Sequence, residues 1–156
     1  MECLINHESN HLNYYLAGRF EEKGKISLFK NHKFKSKKNF SIHPRIDMHF
    51  RTLKEAELFQ TNFGGKIFYR RGDKVQPLHW AGGGRKKLYR IVMPSTSAID
   101  FVNAISPFIY SDLMKRKLNL ILDVNKWVQK NFHKRGKYYK EKRKKFYTDM
   151  KRLNKL

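Results

Sequence analysis

The residues of this chain that can do chemistry are mostly cations, and they come in clusters. Lys30-Asn31-His32-Lys33-Phe34-Lys35-Ser36-Lys37-Lys38-Asn39 holds five lysines in ten residues. Gly82-Gly83-Gly84 runs straight into Arg85-Lys86-Lys87. Residues 131–156 carry eleven Lys or Arg against Glu141 and Asp149. The chemistry on offer is neutralisation of phosphate, by ammonium groups as point charges and by guanidinium forks. A charge run is by default a solvated face. Here Phe34, Trp80, Tyr138, Tyr139, Phe146 and Tyr147 stand among the cations, and aromatic rings beside positive charge suit exposed bases. One further charged turn, Glu21-Glu22-Lys23, sets two carboxylates against an ammonium.

The whole chain has the same bias. It has 156 residues and a formal charge of +22, which attracts polyanions. Forty per cent apolar residues and twelve Phe are enough for one folded body with a core. No apolar run approaches the roughly 20 residues of a membrane span, so nucleic acid is the expected partner, and a membrane is not. Cys3 is the one cysteine. It cannot form an internal disulfide, and no cluster of metal ligands is evident. Residues 1–15 lack the Arg-rich amphipathic pattern of a transit peptide. The abundance of Lys, Asn, Ile, Phe and Tyr, whose codons are AT-rich, fits synthesis inside an organelle. The mitochondrion is the first expectation and the chloroplast the second.

The elements that position these groups read as follows. Residues 1–11 form a polar arm. Leu16, Ala17 and Phe20 take helical spacing over about 11–22. Gly24 is expected to end that helix at positive φ. Lys25-Ile26-Ser27-Leu28-Phe29-Lys30 alternates as a strand, and Ile42, Ile46, Met48 and Phe50 keep period two in a second. Pro44 marks an edge or a bulge in that strand. Its opposite face carries His43, Arg45, Asp47 and His49, which can hydrogen-bond base edges or phosphates. Thr52 and Glu55 form a capping box for a helix with Leu53, Ala56, Leu58, Phe59 and Phe63 inward, closed by Gly64-Gly65. A third strand follows at 66–71. The loop at 72–87 holds the glycine run, whose backbone N–H groups can face an anion. It lacks the Lys-Ser/Thr step of a nucleotide P-loop. Trp80 either stacks on an unpaired base or pins this loop to the core. Residues 88–93 make a fourth strand. Two helices follow, separated by Pro107, with Leu113, Leu118, Leu120, Ile121, Val124 and Val128 inward in the second.

The stretch Leu16-Ala17-Gly18-Arg19-Phe20-Glu21-Glu22-Lys23-Gly24 resembles the motif of the LAGLIDADG homing endonucleases. It matches at Leu16-Ala17-Gly18, at Glu21 and at Gly24. The element order, helix–strand–strand–helix–strand–strand–helix, is similar to one half of such an enzyme over roughly residues 12–130. The resemblance implies an α+β fold, αββαββα, with a four-stranded antiparallel sheet. To this the chain adds a basic helical extension at 131–156, expected to lie on nucleic acid rather than on the body. In the family two motif helices pack side by side, which would engage Leu16, Ala17, Gly18 and Phe20. Its eighth motif letter is the acidic ligand of a catalytic divalent metal, and Lys23 stands there. Metal-assisted cleavage needs hard anionic oxygens, whereas an ammonium repels Mg²⁺ and attracts phosphate. The family's assisting basic residue after the fourth strand has no match in Val92-Met93-Pro94-Ser95.

The expected function is therefore binding without cleavage, to structured RNA ahead of DNA, as a component of a mitochondrial or other organellar ribosome beside neighbouring ribosomal proteins. No catalytic residue, cofactor or metal is assigned. The alternatives are an active homodimeric DNA endonuclease using Mg²⁺ with Glu21 and Glu22, a group I intron maturase, and a basic interaction protein. The contacts expected with nucleic acid are Lys23, Lys30, Lys33, Lys35, Lys37, Lys38 and Arg45. They continue with Arg70, Arg71, Trp80, Arg85, Lys86 and Lys87. In the extension they are Lys134, Arg135, Lys137, Lys140, Lys142, Arg143, Lys144 and Lys145.

Overall fold

A computed structural model of the chain describes residues 2–32, 40–70, 88–131 and 134–156. Alternating apolar residues build its sheet. Strands β1 (Lys25–His32), β2 (Phe40–Phe50), β3 (Lys66–Arg70) and β4 (Leu88–Met93) pair antiparallel in the order β1-β2-β4-β3. The period is two, so one face carries Ile26, Leu28, Ile42, Ile46, Met48, Phe50, Ile91 and Met93, all buried. Pro44 sits where β2 pairs only with β1, opposite Leu28, because β4 pairing stops at Ile46↔Met93. Its missing N–H therefore costs no ladder bond.

Among the described residues, five helices cover the buried face: α1 (Glu2–Lys23), α2 (Leu53–Phe63), α3 (Ser95–Ile105), α4 (Asp112–Asn131) and α5 (Lys137–Leu153). A 3-10 turn at Ser106–Phe108 links α3 to α4. The helix expected from residue 11 begins at Glu2, so residues 2–11 are helical and not an arm. Leu16, Ala17 and Phe20 are at most 1 % exposed and turn inward on this chain's own core. Gly18 lies on the outer side, with no atom within 4 Å of where a Cβ would be. Phe20, Phe59, Phe63 and Phe101 form a ring cluster with centroids 5.0–5.4 Å apart. Such pairs add about 0.5–1.5 kcal/mol each beyond their area.

Gly24 does not adopt the positive φ expected of it; among the described glycines only Gly64, Gly65 and Gly136 do. Close approach explains the residue better. A Cβ on Gly24 would overlap the ring of Phe20, which is wedged against Phe101 and has no room to swing away. The capping box is present as expected: Glu55 N–H donates to Thr52 Oγ1 at 3.2 Å, and Thr52 N–H donates to Glu55 Oε2 at 3.3 Å. Ala56 and Phe59 face inward from α2, but Leu53 and Leu58 are 43 % and 49 % exposed. They lie off the side that Ala56 and Phe59 turn to the sheet.

The basic extension departs most from expectation, because it packs on the body. Tyr139, Phe146, Met150 and Leu153 recur at helical spacing and face inward, with Met150 buried. Phe146 meets the Trp127 ring of α4 at 5.6 Å. Lys30 of β1 places its ammonium 4.0 Å from the Tyr147 ring and 4.5 Å from that of Phe40. Asn154 Nδ2 donates to the Ile26 carbonyl at 2.8 Å, tying the end of the chain to the first strand. The hydrophobic stripe supplies the docking force, and Lys137, Lys140, Lys144, Lys145, Lys151 and Arg152 stay exposed.

Candidate nucleic-acid interface

The second face of the sheet is polar, because each residue between two core residues must point away from the helices. β2 contributes Ser41, His43, Arg45, Asp47 and His49. Register brings Lys25 opposite Asp47 and Phe29 opposite His43 from β1. From the other side come Val92 and Arg90 of β4, and Lys66 and Phe68 of β3. Phe29 and Phe68 are each 51 % exposed there, large apolar rings in a field of cations.

Asp47 organises the middle of this face. Its carboxylate is the one buried charged group among the described residues. Arg45 Nε reaches Oδ1 at 3.3 Å, and Arg90 Nη2 reaches Oδ2 at 3.0 Å. A buried carboxylate needs such partners, since isolation from water costs several kcal/mol. The pair of guanidiniums is fixed in turn, each about one-third exposed. Arg90 Nε has no hydrogen-bond partner, which leaves one donor unassigned. Beside this centre runs an open groove of about 570 Å³, lined by Phe29, His43, Arg45, Lys66, Phe68 and Ser95 among others. Oriented guanidiniums, a lysine and two exposed rings can hold phosphate oxygens and stack on bases.

The charged end of α1 is arranged differently. Glu21 Oε1 accepts from the backbone N–H groups of Tyr110 at 3.0 Å and Ser111 at 2.6 Å. It thereby caps the approach to α4, where a carboxylate also opposes the positive helix end. Glu22 is flanked by Lys23 Nζ at 3.1 Å and Arg19 Nη1 at 3.9 Å. Among the described residues no three His, Cys, Asp or Glu come together as a metal site. The residues present do not fit the catalytic Mg²⁺ of the homing endonucleases: one carboxylate is committed to a helix cap and the other to two cations.

Of the residues expected to contact nucleic acid, Arg45 lies on the open sheet face. Lys23 lies at the end of α1 against Glu22. Lys30 is turned to the opposite side of the sheet, beneath α5. Lys134, Arg135, Lys137, Lys140, Lys144 and Lys145 are exposed around and along α5, while Lys142 and Arg143 are half-buried. Lys33, Lys35, Lys37, Lys38, Arg71, Trp80, Arg85, Lys86 and Lys87 lie outside the described residues, and so does the side chain of Arg70. Sequence reasoning missed Lys25, Lys66 and Arg90. Their signal was strand parity: each shares the outward phase with His43, Arg45 and Asp47 once the register is known.

Glu55 is a second electrostatic junction, between helices. It accepts from the Tyr15 hydroxyl at 2.9 Å and lies 3.7 Å from Arg19 Nη2. Partial burial pushes its pKa up, but hydrogen bonds from Tyr15 and Thr52 and the charge of Arg19 outweigh this, so its pKa falls below the ordinary value. Tyr15 is raised, by burial first and then by Glu55.

No protein-family model matches this chain, and no curated protein does. Solved structures do. The group I intron-encoded homing endonuclease I-CeuI, complexed with DNA, is similar at a TM-score of 0.66 and 12 % identity, over 92 % of this chain and 66 % of that one. The homing endonuclease I-TnaI gives 0.63 and 10 %, over 92 % and 93 %. The LAGLIDADG meganuclease I-CpaMI, bound to uncleaved DNA, gives 0.56 and 13 %, over 78 % and 38 %.

Proposed function

The chain has the LAGLIDADG homing endonuclease fold, and we propose that it binds nucleic acid through the open face of its sheet without cutting it. The observation that carries this reading is the pairing at the end of α1. Lys23 stands at the metal-ligand letter of the motif, and Glu21 is spent on the N–H groups of Tyr110 and Ser111. The sheet face meanwhile keeps what binding requires: Arg45 and Arg90 held by Asp47, Lys25 and Lys66 beside them, and a chain charge of +22. Neighbours of the same fold solved with DNA support a polyanion as the partner.

Structured RNA is our first choice of partner and DNA the second. The helical extension, with its exposed lysines, suits the irregular backbone of a folded RNA, where phosphate contacts position and shape selects. An organellar ribosome, mitochondrial first, is the setting we propose, on the strength of composition. Sequencing of the nucleic acid that co-purifies with the protein tests the reading. Ribosomal RNA fits it. A single duplex DNA site cut by the purified protein in Mg²⁺ restores the endonuclease alternative, and its own intron restores the maturase.

A further inference from the structure

A second basic cavity lies where α4 turns into α5 beside the start of β2, and His43 joins its wall to that of the sheet groove. It measures about 510 Å³, well within the range of pockets that enclose small ligands. Five cations line it: Lys134, Arg135, Lys137, Lys140 and Arg143. None of its described lining residues is acidic. Like charges gathered in one wall repel one another, and no carboxylate among the described lining residues offsets them. The arrangement is held by structure rather than by counter-charge. Arg143 donates to the Lys134 carbonyl at 3.1 Å and lies 5.9 Å from the Trp127 ring. Tyr139 and Phe146 flank the same ring at 6.2 and 5.6 Å.

The remaining wall is aromatic and polar. Phe40 and Trp127 line the cavity, with Ser41 and His43, whose Oγ and Nε2 lie 2.9 Å apart. Gly136 opens α5 at φ 115° without a side-chain cap, so backbone donors of the first helical turn add to the cation field. Inorganic anions need only the charge. A cavity of this size that joins five cations to two aromatic rings and a hydroxyl–imidazole pair matches a larger ligand with a phosphate at one end and a flat heterocycle at the other.

We infer that this cavity receives one unpaired nucleotide, its phosphate among Lys134, Arg135, Lys137 and Lys140 and its base against Phe40 and Trp127. The site adjoins the sheet groove at His43 and differs from it in lining and in target. The sheet groove suits a continuous backbone, whereas this pocket, with Phe40 and Trp127 in its wall, suits a base free of its stack.

Trp80 and Trp127 are the two tryptophans, so Trp127 emission can be isolated in a Trp80→Phe protein. The probe is a 5′-phosphorylated tetrauridylate, with tetrathymidylate, a blunt RNA duplex and inorganic phosphate as comparisons. Saturable quenching by tetrauridylate is expected, with none by the duplex. The double variant Arg135→Glu, Lys140→Glu exchanges two exposed cations and leaves the docking stripe intact. It should weaken the tetranucleotide by about tenfold or more, the loss of one or more charge-assisted bonds. Arg45→Ala with Lys66→Ala, on the sheet face, should leave the quenching unchanged while lowering affinity for long RNA. Tighter binding of the ribose probe assigns the pocket to RNA, and equal binding assigns it to either strand type. Absence of quenching, indifference to the double charge reversal in a protein of unchanged far-UV circular dichroism, or equal affinity for inorganic phosphate would each overturn the inference.

Discussion

Glu21 Oε1 accepts the backbone N–H of Ser111 at 2.6 Å, and that bond joins the last turn of α1 to the start of α4. The carboxylate is a structural cap, held in place by two amides rather than presented to a ligand. Capping carboxylates contribute about 0.5–2 kcal/mol. Glu21→Ala should therefore lower the unfolding free energy by about 1 kcal/mol in urea denaturation and leave nucleic-acid affinity nearly unchanged. A variant that lost binding but not stability would place Glu21 in the interface instead.

The sheet face makes a prediction in salt. The logarithm of affinity should fall linearly with the logarithm of salt concentration, with a slope that counts neutralised phosphates. Arg45→Ala and Lys66→Ala should each reduce that slope by about one and weaken all sequences alike. Lys30→Ala should leave the slope unchanged, since its ammonium lies between Phe40 and Tyr147 under α5. Filter binding over a range of potassium chloride measures both.

α5 is predicted to be part of the cooperative fold. Met150 is 2 % exposed, and truncation of a buried Met costs about 2–5 kcal/mol. Met150→Ala should lower Tm and raise amide exchange throughout α5 first. Substitution of the exposed Lys144 and Lys145 by Gln should do neither. A tail ordered only by its polyanion would show the reverse, with exchange in α5 fast in the free protein and insensitive to Met150.

Glu55 gives the fold an acid-sensitive contact. Its folded pKa lies below the ordinary value, so the folded state binds fewer protons at this group than the unfolded chain does. The stabilisation is then complete above the unfolded carboxylate pKa and is lost as pH falls through the folded value. The wild type should lose stability on acidification more steeply than Glu55→Gln, which lacks this titration and starts lower. Thermal melts at a series of mildly acidic pH values compare the two.

How far the sequence carried these conclusions depended on the range of the interaction. Thr52 and Glu55 are three residues apart, and their capping box was legible as written. The strands and their parity were legible too, because alternation is local. Asp47 was placed on the polar face, but its bond to Arg90 was not visible. That contact depends on β4 pairing beside β2, a fact of topology rather than of pattern. Gly24 was read through its dihedral freedom, whereas its real constraint is the Phe20 ring, which only packing reveals. The start of α1 was missed because Leu4 and Ile5 stand alone among mostly polar residues between Glu2 and His11 and set up no apolar rhythm. In the extension the stripe Tyr139, Phe146, Met150 and Leu153 was present at helical spacing, but the eleven cations around it mask that stripe in the sequence and point to a polyanion instead of the body.

On the proposed reading, Lys23 and the committed carboxylates leave a scaffold that holds phosphodiesters and does not break them. Incubating the purified protein in Mg²⁺ with the nucleic acid that co-purifies with it, then resolving the strands on a denaturing gel, tests this directly. The expected result is a salt-sensitive complex whose strands stay full length, for the wild type and for Lys23→Asp alike, since the Glu21 cap persists in both. Discrete cleavage products that require Mg²⁺ and vanish in Glu22→Gln would contradict it.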